Sequence, residues 1–195
     1  MVLRYDTPPT SFPLRQGEIL CSMSEVVPDV SDMQGLLSDA ESVPVYRVPY
    51  AFAIIISQDC DLIWDWNGRG DTVGDGSKLL AHIRFCELFE ESAIHVPREF
   101  GSRDWRRIKQ NQDIRYHHLH KGPIGESKGG ELQDLYADFK RTFSLPVDYT
   151  YQLLSADNSI RRTILVDPFL RDFIHRLHHF LSRVPLPEEN EVPKV

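Results

Sequence analysis

Residues 51–62 read AFAIIISQDCDL, an apolar run that stops abruptly at Ser57, Gln58, Asp59, Cys60 and Asp61. The run is β-branched, has no helical period and is too short for a helix. The pattern therefore predicts a buried strand over Tyr50–Asp61. Gln16–Cys21 predicts a short strand before it. HIRFCELF, within Lys78–Glu90, predicts a third, and Ile114–Leu119, Tyr149–Leu154 and Arg162–Val166 predict further strands. Leu132–Leu145 alternates only imperfectly, with Leu135, Phe139 and Phe143 apolar. A short helix is expected around Arg103–Lys109. The clearest helix follows Asp167-Pro168, an N-cap acceptor with proline at the first helical position. Leu170, Phe173, Ile174, Leu177, Phe180, Leu181 and Val184 then fall on one helical face. Arg183 suits the last turn, and Pro185 and Pro187 stop the helix.

Breakers divide these elements. Residues 28–44 form an acidic connection between Pro28 and Pro44, with one helical turn expected at Met33–Leu37. NGRGDTVGDGS, residues 67–77, carries four glycines and three Asp or Asn residues and reads as a long loop. Residues 123–130 read as a glycine-rich turn. The expected fold is mainly β (α+β): a small β-barrel or strongly bent sheet, with an inserted helical segment and a C-terminal amphipathic helix. Residues 1–15 read as an extended arm, 16–187 as a single barrel-like domain with a basic insertion near 98–112, and 188–195 as a flexible tail.

Composition narrows the class. At 195 residues and 41% hydrophobic content the chain can bury a real core, and its net charge of −7 opposes non-specific attraction to polyanions. Its cysteines, Cys21, Cys60 and Cys86, are odd in number and lack regular spacing. That favours a reducing compartment over a disulfide framework. With neither a signal peptide nor a membrane-length apolar run, the expectation is a cytoplasmic protein that does not engage membranes.

Three clusters could carry chemistry. On a strand, Ser57, Asp59 and Asp61 share one face and Cys60 takes the other. The paired carboxylates could hold a hard cation or do acid–base work, or they could cap loop amides and pair with arginines. In the second cluster, Arg115-Tyr116-His117-His118-Leu119-His120, the rings of His118 and His120 share a strand face. With Cys60 or Asp59 that pair offers zinc ligands, but no Cys-x-x-Cys or His-Glu-x-x-His framework accompanies it. The reading accordingly assigns no metal and no cofactor. Histidines beside arginines also suit phosphodiester chemistry, and equally a polar strand face. The third cluster is the basic strip, where Arg103, Trp105, Arg106, Arg107 and Lys109 suit single-stranded nucleic acid by phosphate contact and stacking. Alternatively, the acidic stretch from Asp29 to Glu41 neutralises that strip within the fold. On the terminal helix, His175 and His179 lie one turn apart on the polar side.

The order of elements resembles the PemK/MazF-like toxin family. Gln16-Gly17-Glu18-Ile19-Leu20 is similar to its opening strand, and Ala53-Ile54-Ile55-Ile56-Ser57-Gln58-Asp59 to its second. Asp138-Phe139-Lys140-Arg141-Thr142-Phe143, with the closing helix carrying Arg176 and Leu177, is similar to its late strand and C-terminal helix. The resemblance implies an SH3-like barrel and metal-independent RNA cleavage, in a divergent bacterial branch. Where that family has its catalytic Arg-Pro pair, this chain reads Val48-Pro49-Tyr50, and Cys86 falls near the position of the family's catalytic threonine. Two alternatives follow. Arg115 with His117 or His118 replaces those groups, or the fold serves as a binding module. In the first, a metal-independent endoribonuclease, Arg115 clamps phosphate, His117 or His118 moves protons and Asp59 orients them. In the second, a non-enzymatic module of a toxin–antitoxin or defence system, Asp59, Asp61 and the terminal helix dock a protein partner such as an antitoxin. A zinc-dependent hydrolase is the third reading. RNA is the expected ligand, and a homodimer is a candidate assembly.

Overall fold

The computed structural model describes residues 3–8, 13–29, 44–69, 76–94, 101–122, 132–156 and 160–183. Among these residues seven strands form one antiparallel sheet: β1 (Tyr5–Asp6), β2 (Glu18–Pro28), β3 (Val45–Ile55), β4 (His82–Glu90), β5 (Tyr116–Leu119), β6 (Leu135–Pro146) and β7 (Ile160–Leu165). Their spatial order is β1-β7-β2-β3-β4-β6-β5. Among the described residues four α-helices accompany it: α1 (Asp59–Arg69), α2 (Ser102–Lys109), α3 (Val147–Ser155) and α4 (Phe169–Leu181). The fold is thus mainly β with added helices, and the sheet is not closed into a barrel by backbone pairing. No described helix is long and apolar enough to cross a membrane.

Both faces of the central strands are covered, which explains the unbroken apolar run of β3. Ile54 joins Cys86, Leu88, Ala137 and Phe139 beneath Phe173, Leu177 and Phe180 of α4. Its neighbours Ala53 and Ile55 join Leu20, Ile83, Phe85 and Leu145 under Leu62 of α1 and Val147 and Leu153 of α3. Each large side chain so buried contributes about 1.5–3 kcal/mol. A smaller third cluster, Ile108, Tyr116 and Tyr136 with Trp105, seats α2 against β5 and β6.

The imperfect alternation of Leu132–Leu145 comes from an irregularity in β6. Leu88 pairs with Ala137 and Cys86 with Thr142, so residues 138–141 stand opposite the single residue Glu87. Leu135, Ala137 and Phe139 therefore face α4, whereas Phe143 and Leu145 face α1 and α3. Such a bulge re-aims side chains. Here it turns Asp138 toward Arg115 and Arg141 toward Glu87.

Two expected strands are corrected. Asp59 and Asp61 do not extend β3 but occupy the first turn of α1, where carboxylates favour the helix dipole. Leu62 N–H donates to Gln58 O at 3.1 Å, and Leu62 and Asp65 turn inward with helical spacing. The alternation assigned to Ser57, Asp59 and Asp61 thus fails after Ser57. Tyr149–Leu154 is helical as well. Val147, Thr150 and Leu153 are buried three residues apart, so packing overrides the local β-preference of Tyr and Thr. Asp167 forms no side-chain cap on α4; its carboxylate pairs with Arg171 at 2.8 Å.

Other expectations match the elements. β4 contains HIRFCELF, α2 spans Arg103–Lys109, and α4 presents Phe173, Leu177 and Phe180 to the core. Tyr5–Asp6, within the stretch read as an arm, pairs with β7. The turn expected at Met33–Leu37, the 123–130 turn, the prolines ending the last helix and the 188–195 tail lie outside the described residues.

Gly17 sets the start of β2. It has φ +85°, donates to Ile55 O and accepts from Leu165 N, both at 2.9 Å. A Cβ there would meet Leu170 Cδ1 at 2.7 Å and Leu165 O at 3.1 Å. Gly17→Ala is expected to lower the unfolding free energy by about 2 kcal/mol, read by urea denaturation.

Candidate functional site

β5 is an edge strand fixed by a clamp from α4. The Arg176 guanidinium donates to the carbonyls of Asn111, Asp113 and Tyr116, holding the turn that leads into β5. Asn111 adds a two-way bond to the backbone of His118: its Oδ1 accepts from His118 N at 2.5 Å and its Nδ2 donates to His118 O at 3.0 Å. Asp113 Oδ1 accepts the N–H groups of Arg115 and Tyr116. The grip of Arg176 on this turn, and the parts of Asn111 and Asp113 in it, escaped the sequence reading, because a turn polar enough to be a plain loop gives no sign of which helix holds it.

The Arg115 guanidinium, expected to meet phosphate, is held in two-point contact by Asp138, Nε to Oδ1 at 2.7 Å and Nη2 to Oδ2 at 2.5 Å. Asp138 is 1% exposed. The carboxylate holds the Arg115 pKa above its ordinary value, and the guanidinium also lies over the Tyr116 ring. His117 is buried under α4, edge-on to Phe173. Burial pushes its imidazole down to about 3, with Arg176, His118 and His120 adding to the effect. That environment favours the neutral ring.

Asp59 is not part of this group. Its carboxylate accepts from Arg15 Nε and Nη2 at 3.1 and 2.7 Å and from Gln16 N at 2.6 Å. Among the described residues it shares no hydrogen bond or ion pair with Arg115, His117 or His118. Cys60 is exposed on α1 rather than buried in a strand, and it is Cys21 and Cys86 that lie inside.

His118 and His120 do come together, with ring centroids 4.0 Å apart. His118 stacks on Tyr136 at 4.7 Å. Both imidazoles line a cavity of about 180 Å³ shared with Arg4, Tyr5, Asn111 and Asp172. The third party is Asp134. The pairs Leu119–Leu135 and Gly122–Leu132 place it across the hairpin from His120. His118, His120 and Asp134 each offer a ligand atom within 4.8 Å of the others. Pairing 114–119 with 132–145 as a hairpin would have found Asp134 in the sequence.

A second surface lies on the other side of Asn111. Arg103, Arg106 and Arg107 recur on one face of α2 and, with Gln110 and Gln112, line an open cleft of about 410 Å³. Asp104 caps the helix start by accepting from Gly101 N at 3.1 Å, and the arginines near the last turn suit the dipole. Trp105 and Lys109 turn away from this cleft. Trp105 Nε1 and Lys109 Nζ each reach Glu91 Oε1 at 3.0 Å, and the indole packs on Tyr136. The Lys109 bond is the main cause of a lowered Glu91 pKa.

No family model matches the chain. Neither a curated protein nor a solved structure is significantly similar to it.

Arg115→Ala would strand the buried Asp138 carboxylate, and a loss of about 3 kcal/mol of stability is expected by chemical denaturation. Pairing Arg115→Met with Asp138→Leu should restore most of it. Cys60 is expected to react with a thiol reagent in the native protein, whereas Cys21 and Cys86 should react only on unfolding. Burial raises the Cys86 pKa, so little thiolate forms, and counting labelled thiols with and without denaturant checks this.

Proposed function

We propose that this chain is a nucleic-acid-directed protein whose ligand is single-stranded RNA, and that α2 is its contact helix. One observation carries the reading: Arg103, Arg106 and Arg107 converge with two glutamines on one cleft, and among the described residues none of the three forms an ion pair. Uncompensated guanidiniums at helical spacing suit a row of phosphates, and glutamine amides suit sugar hydroxyls and base edges. An acidic chain gains from confining this charge to one helix, because it then attracts a polyanion locally while the remainder repels it.

The choice of RNA, the toxin-type or defence-associated role and the metal-independent endoribonuclease activity rest on the likeness of 16–20 and 53–59 to PemK/MazF-like strands. So does the SH3-like barrel. In its favour, the edges of the sheet approach one another: the Tyr5 hydroxyl donates to His120 O at 2.6 Å, and Gly122 leaves room for the Tyr5 ring. A second reading, docking of a protein partner, is favoured by exposed Trp64 and Trp66 on α1 beside Asp61.

The test is fluorescence anisotropy with a labelled single-stranded RNA over a series of salt concentrations, comparing the wild type with R103A/R106A/R107A. Losing three phosphate contacts should make the slope of log K against log salt shallower by about 2. The three side chains are exposed, so the melting temperature should hardly move. Absence of wild-type binding at low salt, or an unchanged slope in the variant, would overturn the assignment.

A further inference from the structure

The geometry points to His118, His120 and Asp134 as a binding site for one divalent transition-metal ion of the zinc class. The tautomer of His118 is fixed by its surroundings. His118 Nδ1 lies 3.0 Å from the carbonyl oxygen of Lys109. A carbonyl only accepts, so Nδ1 must carry the proton. In the neutral ring Nε2 is then a bare lone pair. That atom is buried without a hydrogen-bond partner, in a side chain 4% exposed. It faces Asp134 Oδ1 at 3.4 Å.

With His118 neutral, two acceptors thus confront each other across a short gap, the nitrogen buried and the carboxylate partly exposed. A cation between them satisfies both lone pairs. A cation suits the whole arrangement. It takes Nε2 of His118, a nitrogen of His120 and a carboxylate oxygen of Asp134, an N₂O donor set typical of zinc and its neighbours.

The supporting contacts have the form that metal sites use. The second nitrogen of His118 is fixed on a backbone carbonyl, and the Asp134 carboxylate is oriented by Lys121 N at 2.6 Å. Asn111 holds the His118 backbone from both sides. Ligand atoms on a tetrahedral ion stand about 3.3 Å apart, as metal–ligand bonds of about 2.0 Å require. The three groups are within 4.8 Å, so a small closure of the more exposed His120 and Asp134 side chains suffices. A fourth position opens on the 180 Å³ cavity, which is ample for water.

The experiment uses the full, tag-free chain, stripped with a chelator and titrated near neutral pH. Zinc by calorimetry and cobalt(II) by visible absorption are the two probes. The proposal expects one tight equivalent, a tetrahedral cobalt spectrum and a raised melting temperature with zinc. His120→Ala and Asp134→Asn replace half-buried side chains, so both should fold and bind at least 100-fold more weakly. The exposed pair on α4 is the control: H175A/H179A should leave the tight equivalent intact. Either no stoichiometric uptake by the wild type or undiminished affinity in both H120A and D134N would overturn the site. So would a nitrogen-15 spectrum showing His118 doubly protonated in the presence of excess zinc.

Discussion

Covering both faces of one sheet is the constraint from which the other features follow. With α4 on one side and α1 and α3 on the other, the inner parts of β3 and β4 have no solvent face on which to place polar groups. Chemistry-bearing residues are displaced to strand ends, to the bulge of β6 and to edge strand β5. Asp59 begins a helix beyond the end of β3. Asp138 sits where the ladder is broken. His118 and His120 lie on or just past the edge strand. The interior is uniform, and the rim is where the protein differs from any other two-faced sheet.

At that rim, charge is handled in two ways. Some groups are tied off in pairs: Arg115 with Asp138, Glu18 with Arg161, Arg15 with Asp59. Glu18 is fully buried against a partly exposed Arg161, and burial raises the glutamate pKa against the pull of the guanidinium. The arginines of α2 are left open, with no ion pair among the described residues. Removing a partner from a tied pair costs stability, whereas removing an open group costs little. That difference separates architecture from recognition, and it moves Arg115 from the second class to the first.

What was legible from the chain follows the same division. Periodicity found α4 because Leu170, Phe173, Ile174, Leu177 and Phe180 make a single face, and it found β4 because the pattern carried no competing period. It failed at Asp59, where an apolar run and a helix first turn share the same residues. It failed again at Tyr149–Leu154, where β-preferring side chains are held helical by their burial. The histidine pair on β5 was visible by simple alternation. Its third member was not, since Asp134 becomes a neighbour only through hairpin register across a long connection. The arginine face of α2 was visible, but the diversion of Trp105 and Lys109 to Glu91 was a tertiary fact.

The cavity beside His118 draws its walls from distant parts of the chain. Tyr5 comes from the first strand and Arg4 from the residue before it, His117–His120 from the middle, and Leu165, Phe169 and Asp172 from the last strand and helix. The bond from Tyr5 to His120 closes a separation of 115 residues. Contacts of such sequence span are the slow ones to form. A chain emerging from the ribosome can complete the β2–β3 hairpin early, yet it lacks this cavity until the final helix has been released and docked. A chain cut before Leu165 lacks three of the residues that wall the cavity, Leu165, Phe169 and Asp172.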